Sequence, residues 1–223
     1  MAKLKLVIVG AQGRMGARIG ELASQDLALE VAVRLDIGSN ASEMKGGKVV
    51  IDFSQPEASL LHLAEAVRQR KAYVLGTTGF SKEQERVIQK AARSIAIVKS
   101  SNMSLGVNAF FSVAQQIAKT LPNYKVHIQE THHVHKKDAP SGTALQVGAL
   151  IEKVSKQKVT YESFREGEVV GDHRIIFTGP NDELELFHHA NSRDIFAAGA
   201  LQAAKWIAHK NPGLYSMQDV LGL

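Results

Sequence analysis

The sequence predicts an α/β protein in two parts: a parallel sheet flanked by helices, and a smaller α+β part with a mixed or antiparallel sheet. Strand and helix patterns alternate from Leu4 to Val98, which is typical of a parallel sheet with right-handed crossovers. A glycine-rich turn, Gly10–Gly16, joins the first strand to the first helix. After Val98 the alternation ends, and a long helix and a histidine-rich stretch follow.

The elements of the first part follow from apolar runs and from the residues that begin or end helices. Strands are predicted at 4–9, 29–35, 49–53, 73–75 and 95–98, and helices at 15–24, 56–68 and 81–93. Pro56 suits a first helical turn, and Ser81 with Gln84 has the form of a capping box. The polar, glycine-rich segment 37–47 is predicted to be a loop.

The second part begins with a helix at 104–121 and a strand through Tyr124, Val126 and Ile128. A helix is predicted from Ser141, and the turn Gly179–Asp182 predicts an antiparallel hairpin between strands at 169–177 and 184–187. A last helix covers 195–209. The pattern therefore predicts a Rossmann-like parallel-sheet part up to about residue 103 and an α+β part after it, and leaves open which of the two the last helix joins.

Composition limits the class of protein. The net charge is +5, but the lysines and arginines are scattered and form no basic stripe with aromatic residues, so the pattern argues against nucleic acid and favours small anionic ligands. There is no cysteine, which excludes disulfides and agrees with a reducing compartment. Neither a signal peptide nor a membrane-spanning run is found, so we predict a cytoplasmic protein without a membrane partner.

The glycine turn has the spacing GxxGxxG, a variant of the dinucleotide fingerprint, between a strand and a helix. Asp36 lies 20 positions after Gly16 (36 − 16), at the end of the second strand, where an acidic residue can bind ribose hydroxyls. Ile37 offers no cation to a 2′-phosphate, which favours NADH. Arg14 and Arg34 leave NADPH open, and a tight turn without a ligand is the alternative.

Two further polar segments follow strands of the predicted sheet. Gly76–Gly79 comes after the fourth strand and Ser100–Met103 after the fifth. Ligands bind at the carboxyl ends of such strands, so both segments are candidates to contact the cofactor. Each could equally be an ordinary turn, because Gly, Ser and Thr are common turn residues.

The stretch Glu130–Thr143 carries three histidines and two lysines. Three interpretations compete: a metal site, a solvated loop, and an anionic-substrate site with proton-transfer groups. Two adjacent lysines would repel a metal ion, so we predict no metal. Adding a hydride to C=C or C=N leaves negative charge, which the histidines and lysines of this stretch could neutralise.

Geometry separates the roles within this stretch. Strand alternation places His132 on the face of Ile128 and Glu130, and turns His133 away from it. The helix beginning at Ser141 has backbone N–H and hydroxyl donors that can bind a carboxylate.

These residues resemble the dihydrodipicolinate reductase family over nearly the whole chain. The matching motifs are Val9 to Gly16, Ile51 to Ser54 with Pro56, Gly76 to Phe80, Asn102 to Asn108, Glu130 to Ala144, Ser192-Arg193 and Gly213 to Leu221. The histidine-rich motif is the most specific of them. The resemblance implies reduction of the cyclic dicarboxylate 4-hydroxy-tetrahydrodipicolinate to tetrahydrodipicolinate, with loss of water.

The resemblance also implies that residues 1–103 and 194–223 form the Rossmann-like dinucleotide-binding domain and that 104–193 form the substrate-binding and oligomerisation domain. It implies residue roles as well. His132 matches the proton donor or acceptor and Lys136 the catalytic lysine, while which of them delivers the proton stays open. Substrate-binding positions are His133, Ser141, Gly142 and Thr143. Cofactor-binding positions are Gly10, Ala11, Gln12, Gly13, Arg14, Met15, Asp36, Gly76, Thr77, Thr78, Ser100, Ser101, Asn102 and Met103.

Relatives of this kind are commonly homotetramers built through the substrate-domain sheet, and we expect the same here, together with domain closure during turnover. This sequence departs from the family pattern in a short loop after Asp36, in Ile37 where some members have an arginine for NADP, and in Met103 where phenylalanine is common. His135 has no assigned role. The alternatives are a nicotinamide-sensing regulator, which lacks a visible DNA-binding element here, and a metal-dependent hydrolase.

Overall fold

A computed structural model describes residues 2–155 and 157–223. In chain order the strands are β1 (Leu4–Val9), β2 (Leu29–Leu35), β3 (Val49–Asp52), β4 (Ala72–Leu75), β5 (Ala96–Lys99), β6 (Lys125–His132), β7 (Val159–Arg165), β8 (Asp172–Thr178), β9 (Glu183–His189) and β10 (Gly213–Tyr215). The α-helices are α1 (Arg14–Gln25), α2 (Pro56–Arg68), α3 (Lys82–Ala91), α4 (Leu105–Thr120), α5 (Gly142–Ser155), α6 (Asp194–Ile207) and α7 (Met217–Leu221). The described helices include none that is both long and apolar enough to cross a membrane.

The chain folds into two compact units. Unit 1 is Met1–Leu105 with Asp194–Leu223, and unit 2 is Gly106–Arg193. Their sheets differ in type: unit 1 has a parallel sheet and unit 2 a mixed one. The predicted fold class, a Rossmann-like α/β domain with an α+β domain, is confirmed.

Unit 1 contains a six-stranded sheet in the order β10-β5-β4-β3-β1-β2, with every pair of strands parallel. Its central strands are apolar almost throughout because both faces are covered by helices. In β1, Leu6 and Ile8 belong to the core on one face, while Val7 and Val9 belong to the core on the other. The glycine turn follows β1, which lies between β2 and β3 in the sheet. The chain reverses its direction of progress across the sheet at this point, which is the usual place for a ligand in such sheets.

Unit 2 contains a four-stranded sheet in the order β7-β6-β8-β9, in which β6 and β7 are parallel and the other pairs antiparallel. The core side of this sheet packs against α4 and α5 through residues such as Phe111, Val147 and Ile128. Burial alternates along β6, so that Glu130 and His132 continue the buried face of Ile128. The expected orientation of His132 is therefore confirmed, and a polar pair ends an otherwise apolar face.

Five local predictions were wrong or incomplete. The loop predicted at 37–47 contains a 3₁₀ helix, Ala41–Gly46, whose first turn is capped by the Asn40 side chain. The strand predicted from residue 169 begins at Asp172. Strands β7 and β10 and helix α7 were not predicted. β7 was missed because its inner face ends in Ser163 and Arg165, which interrupts the apolar alternation.

Candidate active site

The glycine turn of unit 1 depends on two close backbone approaches. Gly10 has a φ of +73°, and a Cβ there would lie 2.9 Å from the Phe53 carbonyl oxygen. A Cβ on Gly16 would lie 2.1 Å from the Gly10 carbonyl oxygen, so only glycine lets α1 pack this closely on the turn. Gly13 is the N-cap of α1 and supplies no side-chain cap, and the first turn of α1 contains no acidic residue. The helix start is therefore suited to a pyrophosphate.

Asp36 lies directly against this turn. Its carboxylate accepts a hydrogen bond from the Gln12 N–H at 2.6 Å and another from the Ile37 N–H at 2.9 Å. These two backbone donors lower the pKa of Asp36 below its ordinary value. The carboxylate is thus held as an anion beside the predicted pyrophosphate position, where ribose hydroxyls could reach it.

The two arginines that left NADPH open, Arg14 and Arg34, differ in placement. The Arg34 guanidinium packs against Gly20 of α1. A Cβ added at Gly20 would lie 2.2 Å from Arg34 Nη1. Arg14 is exposed in the first turn of α1. Ile37 is fully exposed, 100%, and brings no charge to this surface.

The other predicted cofactor residues fall into two groups. Those with accessible surface are Gly10, Gln12, Gly13, Arg14, Met15, Gly76, Thr78, Ser100 and Ser101. Those that are buried are Ala11, Thr77, Asn102 and Met103. Met103 belongs to the apolar core of unit 1, and its backbone oxygen lies against Gly199 of α6. Met103 is only 2% exposed, so little of its surface is accessible in this unit.

Asp52, at the end of β3, was not predicted as a functional residue. It is fully buried and accepts hydrogen bonds from the Ser54 N–H, the Ser54 and Thr77 hydroxyls and the Tyr73 phenol. Burial and the adjacent carboxylate raise the pKa of Tyr73 well above its usual range. Asp52 thus joins the ends of β3 and β4 and fixes the Thr77 segment. Its position at the end of a strand, within the motif Ile51 to Ser54, was the available signal.

In unit 2 the buried end of β6 carries a paired acid and base. The Glu130 carboxylate, 1% exposed, bonds to Nδ1 of His132, which is 8% exposed. Burial acts to raise the pKa of Glu130, but hydrogen bonds from Arg165, Ser163 and His132 outweigh it and lower that pKa. Burial lowers the pKa of His132, and Glu130 partly offsets this effect. The balance between neutral and charged His132 therefore depends on burial first and on Glu130 second.

A second buried histidine stands beside His132. The His173 ring meets the His132 ring edge to face, with centroids 5.2 Å apart. Burial, with repulsion from His132 and His188, lowers the pKa of His173 to about 3, so this ring is neutral near pH 7. Its Nε2 lies 3.2 Å from the Ser141 hydroxyl oxygen. His173 therefore contributes a neutral wall to the surroundings of His132.

Lys136 and the start of α5 lie around one carboxylate. The Lys136 ammonium donates to Asp138 Oδ1 at 2.8 Å, and the Gly142 N–H also donates to Asp138. These donors lower the pKa of Asp138, with Lys136 the largest cause. The ammonium and the helix start can thus share a carboxylate, the arrangement that the substrate prediction requires.

The remaining predicted substrate residues are placed differently. Ser141 is 2% exposed, and its hydroxyl accepts from the Ala144 N–H as the N-terminal cap of α5. Thr143, in the first turn, is half-buried. His133 is half-buried and its Nε2 lies 3.4 Å from Arg193, a residue to which no role was assigned. Ser141 therefore shapes the turn, whereas His133 and Arg193 form a separate polar pair.

The metal and loop interpretations can be compared with this geometry. Among residues 2–155 and 157–223, no group of three or more His, Cys, Asp or Glu side chains could hold a metal ion. His135 and Lys137 are exposed, as a solvated loop requires. Glu130, His132 and Lys136 instead have specific charged partners.

Unit 1 carries a dinucleotide-type turn with an acidic partner, and unit 2 carries a buried histidine and a lysine paired with a carboxylate. This combination is typical of the class of NAD(P)H-dependent oxidoreductases. Two family models match: "Dihydrodipicolinate reductase, N-terminus" over residues 4–103 and "Dihydrodipicolinate reductase, C-terminus" over residues 106–221. The chain belongs to the dihydrodipicolinate reductase family.

Relatives support this membership over their full length. The 4-hydroxy-tetrahydrodipicolinate reductase of Nitrosomonas eutropha is 40% identical, covering 100% of both chains, and that of Aquifex aeolicus is 39% identical, covering 99% of both. A dipicolinate-bound dihydrodipicolinate reductase from Paenisporosarcina sp. TG-14 has the same fold, with a TM-score of 0.87, 20% identity, and coverage of 97% of this chain and 98% of that one. The names of these relatives do not favour the regulator alternative.

Proposed function

We propose that the protein reduces 4-hydroxy-tetrahydrodipicolinate to tetrahydrodipicolinate in the diaminopimelate route to lysine. The substrate gains a hydride from NAD(P)H and a proton from the protein or solvent, and loses its hydroxyl as water. The observation that carries this proposal is the full-length similarity of both halves to reductases of that name. The buried Glu130–His132 pair and the Lys136 carboxylate site supply the chemistry that this reaction needs.

The residues of unit 1 fit a nicotinamide dinucleotide. Gly10 and Gly16 allow the close backbone packing of the turn that a Cβ would prevent, and the uncapped start of α1 would bind the pyrophosphate. Asp36 would bind the adenosine ribose, with Gly76–Thr78 and Ser100–Met103 contributing mainly backbone contacts. The bound dinucleotide supplies the hydride. Asp36 with the uncharged Ile37 favours NADH over NADPH.

The residues of unit 2 fit a dicarboxylate. A substrate carboxylate would take the place of Asp138 at the Gly142–Thr143 helix start and near the Lys136 ammonium. His133 would bind the second polar end of the substrate. His132 and Lys136 would neutralise the charge that develops as hydride arrives, with either one able to deliver the proton.

The proposal is tested by steady-state oxidation of NADH and of NADPH with the unstable substrate generated in situ by the preceding enzyme. We expect turnover with both nucleotides and a higher kcat/KM with NADH. Nucleotide binding without any turnover would support the regulator instead. A preference for NADPH would overturn the cofactor assignment and leave the reaction itself standing.

The Asp36→Ala variant tests the ribose contact. Losing hydrogen bonds to a charged partner is worth about 1.5–3 kcal/mol, so the Kd for NADH should rise roughly 10- to 100-fold. Fluorescence titration of NADH measures it, and kcat at saturating NADH should change little. Glu57→Ala, an exposed acid in the first turn of α2, serves as the control. An unchanged Kd in Asp36→Ala would remove Asp36 from the site.

We also propose a homotetramer built through the unit 2 sheet. The face of this sheet opposite the core carries Phe164 and Phe187, which are 43% and 53% exposed. Light scattering should give a mass of about 97 kDa (4 × 24.2 kDa). Phe164→Glu with Phe187→Glu should lower the mass, whereas Leu61→Glu, at an exposed leucine of α2 in unit 1, should not. A monomeric wild-type protein would contradict the proposal.

A further inference from the structure

We infer that Glu130, fixed by Arg165, is a positioning residue that holds His132 with its Nδ1–H directed at the carboxylate and its Nε2 left for the reaction. The inference deepens the proposed function, because it states which nitrogen of His132 exchanges the proton. It rests on hydrogen-bond geometry within unit 2.

The Glu130 carboxylate is enclosed and fully occupied by donors. Arg165 Nη2 donates to Oε1 at 3.0 Å and the Ser141 N–H donates to the same oxygen at 3.3 Å. The Ser163 hydroxyl donates as well, and the second oxygen bonds to His132 Nδ1. With Arg165 beside it, the carboxylate stays ionised and can only accept hydrogen bonds. His132 Nδ1 must therefore carry a hydrogen, which puts the lone pair of the neutral ring on Nε2.

The Nε2 side of the His132 ring faces Gly171. No hydrogen-bond partner for Nε2 is found among the residues that the structure describes. Gly171 lies against this nitrogen, and a Cβ at that position would be 2.9 Å from Nε2. Since glycine leaves that space empty, a substrate atom or water can approach Nε2. Only this nitrogen can then take up or release a proton during turnover.

Arg165 extends the arrangement to Lys136. Besides Glu130, its guanidinium donates to the carbonyl oxygens of Lys136 at 3.3 Å and of Asp138 at 2.6 Å. One side chain of β7 thus anchors both the partner of His132 and the segment that carries the catalytic lysine. The histidine and the lysine are positioned by a common element.

The charges that face His132 come from each neighbouring element. Glu130 on β6 raises its pKa, while Lys136 in the following loop and Arg165 on β7 lower it, and His173 on β8 is neutral near pH 7. Glu130 is therefore the group that favours the imidazolium. Removing its charge should lower the pKa of His132 further.

Glu130→Gln is the decisive variant, because it keeps the shape and removes the charge. A carboxamide can donate to Nδ1, which would move the ring hydrogen to Nε2. Long-range ¹H–¹⁵N correlation spectra of ¹⁵N-histidine-labelled protein should show the Nδ1–H form of His132 in the wild type. In the variant they should show its loss and a lower titration midpoint. kcat should fall about 10²-fold, with the Kd for NADH unchanged.

The controls separate positioning from general damage. Glu162→Gln changes an exposed acid on β7, and its spectra and kcat should match the wild type. Glu130→Asp restores the charge and should recover part of kcat, while Gly171→Ala should lower kcat without changing the tautomer. If Glu130→Gln keeps the wild-type tautomer and midpoint, the inference is wrong. The spectra test the tautomer of His132 without any substrate. A wild-type protein that fails to reduce the proposed substrate would therefore refute the proposed function but not this inference.

Discussion

Lys136→Ala and His132→Ala should each lower kcat by about 10²- to 10⁴-fold, the range expected for a positioned proton-transfer group. The Lys136 ammonium can bind a substrate carboxylate or stabilise a developing anion. Its side chain is only 21% exposed. His132 presents Nε2 beside the empty position at Gly171. Neither side chain takes part in the glycine turn of unit 1, so NADH affinity should stay within about 2-fold of the wild type.

The measurement is kcat at saturating NADH and substrate, with NADH binding followed separately by fluorescence. Two residues in the loop after β6 provide matched controls: His135→Ala and Lys137→Ala remove the same chemical groups from exposed positions. These controls should retain wild-type turnover. If Lys136→Ala or His132→Ala also does, that residue has been assigned the wrong role.

Comparing the two variants can also show which group delivers the proton. When the proton donor is removed, the change in kcat with pH that reports its titration should disappear. A small acid of matching shape, added to the solution, can then partly restore turnover. Imidazole should therefore rescue His132→Ala if that ring is the donor. Methylamine should rescue Lys136→Ala if the ammonium is.

Local sequence pattern was sufficient to predict the position of residues that is set by their own strand or turn. The alternation of Val126 and Ile128 placed His132 on the inner face of β6, and the structure confirms it. The spacing of the glycines located the turn after β1, because backbone approach leaves no room for a Cβ. In both cases the deciding interaction lies within a few residues of the chain.

Contacts with residues that are distant in sequence could not be predicted from local pattern. Arg165 reaches Glu130 across 35 positions of sequence, and β7 has too weak an apolar pattern to be identified as the neighbour of β6. Met103 was predicted as a cofactor residue, and local pattern did not indicate that it belongs to the apolar core that also contains residues of α6, from the end of the chain. Periodicity fixes the face of a residue but not the element that meets that face.

Gly16→Ala should damage the nucleotide site more than its single added carbon suggests. The new Cβ would lie 2.1 Å from the Gly10 carbonyl oxygen and 2.8 Å from the Ala11 Cα, both backbone atoms that cannot rotate away. Helix α1 must therefore move off the turn that would bind the pyrophosphate. Overpacking of this kind costs about 1–3 kcal/mol of unfolding free energy. We expect the Kd for NADH to rise at least about 10-fold, which corresponds to about 1.4 kcal/mol of lost binding free energy.

Urea unfolding and NADH titration measure the two effects on the same preparation. Gly13→Ala should be milder, since its Cβ would lie 3.2 Å from the Gly10 oxygen, and Ser24→Ala at the far end of α1 should behave as the wild type. The Nδ1–H signal of His132 should stay unchanged in all three, because these positions belong to unit 1 and His132 to unit 2. A Gly16→Ala protein that binds NADH and unfolds like the wild type would show that the close packing of α1 on the turn is dispensable. The glycine spacing would then lose its physical basis as a dinucleotide signal in this chain.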